Sequence, residues 1–281
     1  MIVLITGASS GIGRYTAQKF YDKGHIVYGT SRNPEGGFFT GGDQNDSGDK
    51  TGSFKMIPLD ICDAESCEKA VSYVIKKEGR IDVLVNNAGM GIAGPVELTS
   101  DEEAKAQFEA NFFGALRMCK EVLPVMRSQG RGKIINITSA AASVPIPFQA
   151  MYSASKAALE SLSQCVSMET KHYGISVSSI EFGDMKTGFT KSRKITQAAQ
   201  NYDNVYKTVF EDSLKRMEQD EQNGPEPVKA AKMIYKTALK RRSRPVIVCG
   251  FKYKAIFMLR RFLPYRFSEY LIGTFYAKKE K

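Results

Sequence analysis

Tyr152-Ser153-Ala154-Ser155-Lys156 sets a phenol and an ammonium four residues apart. On a helix the two side chains share a face. A nearby cation favours the phenolate and lowers a tyrosine pKa from its reference value near ~10, so Tyr152 is a candidate general acid/base. The spacing alone is common, and a solvated helix face would explain it as well. Its company changes the weight. Ser139 lies thirteen residues upstream of Tyr152, just past the apolar run Ile134–Ile137. A hydroxyl there stands at the carboxyl end of a strand, where open α/β sheets bind ligands. Asn86-Asn87-Ala88-Gly89 follows another apolar run, Val83–Val85. Asn111 falls inside a helical pattern, where asparagine is a mediocre choice and calls for a reason beyond propensity.

A second cluster lies near the start of the chain. Thr6-Gly7-Ala8-Ser9-Ser10-Gly11-Ile12-Gly13 follows the strand-like Ile2–Ile5 and opens a helical stretch. Glycine at such a turn permits positive φ and close approach of a phosphate to the backbone. The helix N-terminus then offers free N–H groups and a favourable dipole to a pyrophosphate. Arg14-Tyr15 follows the last glycine where a P-loop would carry lysine, so this is not a P-loop, and its place between a strand and a helix points to nucleotide binding. The second strand ends in Gly29-Thr30-Ser31-Arg32. An acidic residue at that point would bond a ribose 2′-hydroxyl; Ser31 and Arg32 suit a 2′-phosphate instead, which selects NADP over NAD.

These residues need a frame. Short apolar runs at Ile2–Ile5, Ile26–Tyr28, Phe54–Leu59, Val83–Val85, Ile134–Ile137, Val177–Ile180 and Val246–Val248 read as strands buried on both faces. Helical patterns near 11–22, 64–77, 101–127, 152–171 and 226–240 alternate with them. The alternation implies right-handed βαβ crossovers: an α/β fold with a doubly wound parallel sheet of about seven strands and helices on both faces. Residues 35–53, rich in Gly, Asp and Ser, read as a tolerated surface insertion. Residues 188–225 are polar and helix-compatible. The expected organisation is one domain over 1–250, with 188–225 as its substrate loop, followed by a C-terminal extension over 251–281.

Composition removes other classes. The 281 residues are 42% hydrophobic and 25% charged, which excludes disorder and a small disulfide scaffold. Two His and five Cys without a CxxC pair make a metal site an unsupported reading, and the odd, scattered cysteines suit a reducing cytoplasm. The first residues show no signal-peptide pattern, and no apolar run approaches the ~20 residues that span a bilayer. The formal net charge is +10, with 40 Lys and Arg against 30 Asp and Glu. Residues 1–188 hold 19 basic and 21 acidic side chains, whereas 189–281 hold 21 and 9. A nucleic-acid binder would carry its charge through the body, so nucleic acid is not an expected partner.

The ordered set of motifs resembles the short-chain dehydrogenase/reductase family of the Tyr-x3-Lys type. The likeness spans about residues 1–250 through TGASSGIG at 6–13, Asp60, NNAG at 86–89, Asn111, Ser139 and Tyr152 with Lys156. It implies a Rossmann-type fold and hydride transfer between NADP(H) and a carbonyl or alcohol carbon. Tyr152 would exchange the proton on the substrate oxygen. Ser139 would polarise the carbonyl. Lys156 would hold the nicotinamide ribose and depress the Tyr152 pKa. Asn111 would support Lys156. Gly7, Ser9, Ser10, Gly11, Ile12 and Gly13 would form the phosphate turn. Ser31, Arg32, Asp60, Ile61, Asn87, Ala88 and Gly89 would face the adenosine side. The family's Pro-Gly-x3-Thr appears here as Phe182-Gly183-Asp184-Met185-Lys186-Thr187, so Gly183 and Thr187 keep the cofactor positions while Phe182 replaces the proline.

The same resemblance places Val144, Phe148, Met151, Met185 and Phe189 around the substrate. These are bulky apolar residues and suit a hydrophobic ketone or secondary alcohol. The basic, aromatic-rich extension is similar to the steroid- and retinoid-type branch, including 17β-hydroxysteroid dehydrogenase-like members. A hydroxysteroid of the bile-acid or sterol class is the first expected substrate. The alternatives are a 3-ketoacyl or general carbonyl reductase and, outside enzymes, an NADP-binding sensor. Family habit implies a homodimer or homotetramer. The extension has three readings: a lid or dimer arm, peripheral contact with an anionic membrane, or nucleic acid, which nothing else supports.

Overall fold

A computed structural model describes residues 1–34, 52–200 and 205–277. In chain order the elements are β1 (Ile2–Ile5), α1 (Gly11–Tyr21), β2 (Ile26–Ser31), β3 (Ser53–Pro58), α2 (Ala64–Glu78), β4 (Val83–Asn86), β5 (Ile92–Ala93) and α3 (Asp101–Phe108). A π-helical turn (Glu109–Phe113) leads into α4 (Gly114–Ser128), β6 (Gly132–Ser139), α5 (Ala140–Ser143), α6 (Ala150–Thr170) and β7 (Ile175–Phe182). Then come α7 (Phe189–Ser192), β8 (Lys194–Ile195), α8 (Gln197–Gln200), α9 (Lys207–Gln222), α10 (Pro227–Leu239), β9 (Val246–Val248), α11 (Phe251–Phe262) and α12 (Tyr265–Tyr276).

The seven long-range strands form one parallel sheet in the order β3-β2-β1-β4-β6-β7-β9. Strand periodicity explains why both faces are covered. In β1, Ile2 and Leu4 join a core with Cys67 and Val71 of α2, Met118 and Val122 of α4, and Val166 of α6. Val3 and Ile5 point the other way, into a core with Ala17 and Phe20 of α1 and Ala230 and Ile234 of α10. A continuous apolar run is therefore two alternating sets, each with its own helical layer. The order reverses direction between β1 and β4, and the carboxyl ends of these strands open a crevice at that switch point.

The helical stretch expected over 101–127 is interrupted. Ser100 and Glu103 close a capping box at the start of α3, but at Glu109–Phe113 the chain widens into a π turn. The buried Asn111 sits in that turn. Its side chain donates to Met90 O (3.0 Å) and Ser155 Oγ (3.1 Å) and accepts from Met90 N (2.8 Å). An inserted residue of this kind commonly marks a functional position, and it answers why an asparagine occupies a helix interior. The strands β5 and β8 pair in a small separate ladder that the sequence pattern did not announce. The 35–53 segment, expected as a surface insertion, lies outside the described residues up to position 51. The expected polar stretch 188–225 contains α7, β8, α8 and α9, with 201–204 outside the described residues.

One buried acid pair lies behind the crevice. Glu181 of β7 shares a hydrogen bond with Glu160 of α6, and burial together with that neighbour raises its pKa to about 8 against an ordinary value of 4.5, with the Ser143 hydroxyl opposing. The folded protein thus retains a proton here that the unfolded chain releases. This contribution to stability is complete below about pH 4.5 and is lost as pH rises through about 8. Glu181→Gln keeps a hydrogen-bonding group without the titration. Its melting temperature should fall less than that of the wild type between about pH 5 and pH 8. Parallel curves for the two proteins would contradict the shared proton.

Candidate active site

The glycine turn has the conformations its sequence requires. Gly7 and Gly11 have φ of +65° and +51°. A Cβ on Gly13 would lie 2.2 Å from Gly7 O, so this glycine packs α1 tightly beneath the turn and does not face the crevice. Asn87 braces the same turn: its side chain donates to Thr6 O (3.0 Å) and Gly7 O (2.9 Å). Thr6 Oγ1 in return accepts from the Asn87 and Ala88 N–H groups, both at 3.0 Å. Ser10 makes no side-chain cap bond at the start of α1, which leaves first-turn N–H groups available to a ligand.

A cleft of about 1090 Å³ runs from this turn to α6. Gly7, Ser9, Ser10, Gly11, Ile12, Ser31, Arg32, Asp60, Ile61, Asn87, Ala88 and Gly89 line one end, as expected. Ser139, Tyr152, Lys156, Gly183 and Thr187 line the middle, with Val144, Met185 and Phe189 around them. Thr187 closes over the glycine turn: its Cβ lies 3.7 Å from where a Cβ on Gly11 would stand. Phe182, the substituted proline position, is buried at the end of β7 and also lines the cleft.

Besides Gly13, three expected residues lie elsewhere. Asn111 is 1% exposed and stands behind the wall, where it ties the Met90 backbone to Ser155 one residue before Lys156. Phe148 takes φ +64° and turns its ring onto Phe210 of α9, at 5.4 Å between centroids. Met151, in the first turn of α6, is likewise absent from the wall, because on that turn Gln149 and Tyr152 face the cleft.

The expected electrostatics of the Tyr152–Lys156 pair are reversed in part. Burial raises the Tyr152 pKa, and the Ser139 hydroxyl, within hydrogen-bonding reach of the phenol, opposes the rise. The buried Lys156 ammonium donates to Ile137 O (2.9 Å), lies 5.9 Å from the Tyr152 ring centroid, and is itself lowered to about 8 by burial. Glu221 and Asp184 raise the Tyr152 pKa further and Arg193 lowers it, so all three lie within electrostatic reach of the phenol. The ring is seated against Phe189, at 5.5 Å between centroids.

The far wall comes from residues the sequence did not single out. Met217, Asp220 and Glu221 of α9 face the cleft, as do Lys252, Tyr253, Ile256 and Phe257 of α11 and Leu271, Ile272, Phe275 and Tyr276 of α12. The C-terminal extension is therefore a wall of the site. Tyr253 and Asp184 bond twice: the Asp184 N–H donates to the phenol oxygen (2.9 Å), and the phenol donates to the Asp184 carboxylate. Tyr276 donates to Asp220 (3.4 Å), and Arg216 donates to Phe275 O. Glu221 is held by the buried Arg193 and by Thr190. Lone tyrosines in a distant helix gave no local signal of these contacts.

The cleft fits a nicotinamide dinucleotide. Ser31 Oγ and Thr30 Oγ1 are buried at its adenosine end without a hydrogen-bond partner, beside a glycine turn with free helix N–H groups. Such orphaned groups call for a polar ligand. A bound dinucleotide would supply the hydride, and the turn, Ser31, Asp60, Lys156 and Thr187 are the groups placed to hold it.

The model of the short chain dehydrogenase family matches residues 1–198. The chain belongs to that family. It is an oxidoreductase acting on CH–OH or C=O groups with a nicotinamide cofactor. This dehydrogenase is 41% identical over 278 residues to a 3-ketodihydrosphingosine reductase of Bacteroides thetaiotaomicron, with 98% of both chains covered. Among solved structures it is similar to a short-chain dehydrogenase from Streptomyces avermitilis, with TM-score 0.78, 30% identity and 92% of each chain covered. A serine dehydrogenase complexed with NADP+ matches with TM-score 0.71 and 26% identity over 88% of this chain and 94% of that one. The expected hydroxysteroid branch finds no support in the full-length relative, which is named for a sphingoid ketone.

Proposed function

We propose that the protein reduces the ketone of a long-chain 2-amino-3-ketone, of the 3-ketodihydrosphingosine class, with NADPH as hydride donor. The observation that carries this reading is the composition of the wall opposite Tyr152. Asp184 and Glu221 stand near the phenol, Asp220 lines the same cleft, and apolar side chains of α11 and α12 continue it. An amino ketone with an alkyl chain presents a cation beside its carbonyl and a long apolar tail. A steroid presents no cation to set against this wall, where Glu221 is paired with Arg193 while Asp184 and Asp220 accept only from the phenols of Tyr253 and Tyr276 among the described residues. A 3-ketoacyl thioester of an anionic carrier would meet like charge. The full-length relationship to a 3-ketodihydrosphingosine reductase supports the same choice.

In this reading Ser139 donates a hydrogen bond to the carbonyl oxygen and Tyr152 gives it a proton as the carbon is reduced. The raised phenol pKa keeps Tyr152 protonated at neutral pH, ready for the reductive direction. Lys156, anchored on Ile137 O, is placed to hold the ribose, and Asn111 keeps the α6 turn that carries it in position.

Cofactor oxidation over a set of ketones tests the proposal. The free amino ketone should exceed its N-acetyl derivative and sterol ketones by about ten- to a hundredfold in kcat/KM, the worth of a hydrogen-bonded charge. Equal rates for amine and amide would overturn it. Ser31 and Arg32 at the adenosine end support NADPH over NADH. Arg32→Ala should weaken NADPH binding by about tenfold and leave NADH affinity unchanged, as titration of each cofactor would read.

A further inference from the structure

We propose that α11 and α12 form an interfacial hairpin that docks the mouth of the cleft on an anionic lipid surface. The two helices divide their side chains between two sides. Tyr253, Ile256, Phe257, Ile272 and Tyr276 face the cleft. Phe251, Met258, Phe262, Tyr265 and Tyr270 do not, and they are 87%, 66%, 78%, 65% and 67% exposed. Large apolar groups exposed side by side on a soluble surface mark a place of contact.

Charge selects the partner. Lys254, Arg260, Arg261 and Arg266 lie on the same helices, and among the described residues none of them is in an ion pair. Glu269 is the acidic residue among positions 251–276. Aromatic and aliphatic groups interleaved with long cationic side chains suit a membrane interface, where the stems lie in the acyl boundary and the charges reach the head groups. A symmetric contact with a second copy would set these cations against themselves. Each helix has 12 residues and is therefore about 18 Å long. No helix among the described residues is long and apolar enough to cross a membrane, so the hairpin lies along the surface.

The position of the hairpin gives the surface a use. Its other side is the outer wall of the cleft, so a long-chain ketone partitioned in a bilayer would enter between α11 and α12 without crossing water. This use rests on the long-chain reading above; lipid binding itself does not.

Full-length protein sedimented with vesicles tests the surface. It should bind phosphatidylcholine vesicles containing phosphatidylglycerol at low salt, lose binding as salt rises, and bind phosphatidylcholine alone weakly. Arg261→Glu with Arg266→Glu should lower the binding constant by roughly tenfold or more, since each surface cation contributes about fivefold. Met258→Ser with Phe262→Ser should lower it comparably while turnover of a short water-soluble ketone stays unchanged. Absence of binding to anionic vesicles, or equal binding by both variants and wild type, overturns the proposal. A dimer in solution that Phe262→Ser dissociates, without vesicle binding, assigns the face to a second copy and also overturns it. Vesicle binding without turnover of the amino ketone upholds the surface and overturns only the substrate reading.

Discussion

Tyr152→Phe is expected to bind NADPH with unchanged affinity and to lose kcat by about 10²–10⁴-fold, the usual contribution of a positioned general acid. The substitution deletes one oxygen and keeps the ring. That ring is packed against Phe189 at 5.5 Å and lies near the Lys156 ammonium, so phenylalanine retains the wall of the cleft. What disappears is the proton donor. Ser139 remains, held at the end of β6 where its hydroxyl also accepts from Ala141 N (3.2 Å). It can polarise a carbonyl, but an aliphatic hydroxyl is a much weaker acid than a phenol and does not replace it as proton donor. Stopped-flow cofactor oxidation and fluorescence titration of NADPH separate the two effects. Turnover within a few-fold of wild type would remove Tyr152 from the chemistry. A parallel loss of NADPH affinity would mean that the ring had moved.

Gly183→Ala is expected to open the far wall. A Cβ at this position would lie 1.9 Å from Cε2 and Cζ of Tyr253, a distance no packing can accept. The backbone before Asp184 is held by β7, so the ring has to leave. With it go both Tyr253–Asp184 hydrogen bonds, which latch α11 to the loop after β7. The cleft then loses part of the surface against which an alkyl chain would lie. Burial of each methylene is worth about 0.8 kcal/mol, so losing contact with two or three of them lowers kcat/KM for a long-chain ketone by roughly ten- to a hundredfold. A short ketone, which never reaches α11, should keep its rate. Gly273→Ala is the control: a Cβ there meets nothing within 4 Å and Gly273 does not line the cleft, so its kinetics should match the wild type. Unchanged chain-length dependence in Gly183→Ala, with cofactor affinity intact, would show that the tail does not shape the substrate site.

Gly183 also shows how local and distant information differ. Its place in the Gly-x3-Thr segment after the sixth strand was legible, and it suggested a cofactor contact. The structure adds a steric role: the position receives a tyrosine from α11, 70 residues later in the chain. No periodicity or spacing relates these two residues, because the contact is made only when α11 folds back over the sheet. Asn111 is a similar case. Its poor helix propensity marked it as unusual, but the π turn and the bonds to Met90 and Ser155 appear only in three dimensions. The Tyr152 pKa went the other way. Spacing set the cation four residues from the phenol, and burial of both groups, with Lys156 engaged on Ile137 O, outweighed that proximity.

The sequence by itself determined the sheet, the glycine turn and the reacting groups. Each depends on local rules: buried strands read as apolar runs, tight turns need glycine, and residues four apart share a helix face. It also located the excess positive charge in the last third of the chain. Only the tertiary structure decided what that third does to the site. Its two helices meet α9 and the loop after β7 through contacts between residues far apart in sequence, and no local pattern encodes such contacts. Folding the extension across the cleft places Asp184, Asp220, Tyr253 and Tyr276 in one wall and leaves the opposite, basic and apolar side of the helices exposed.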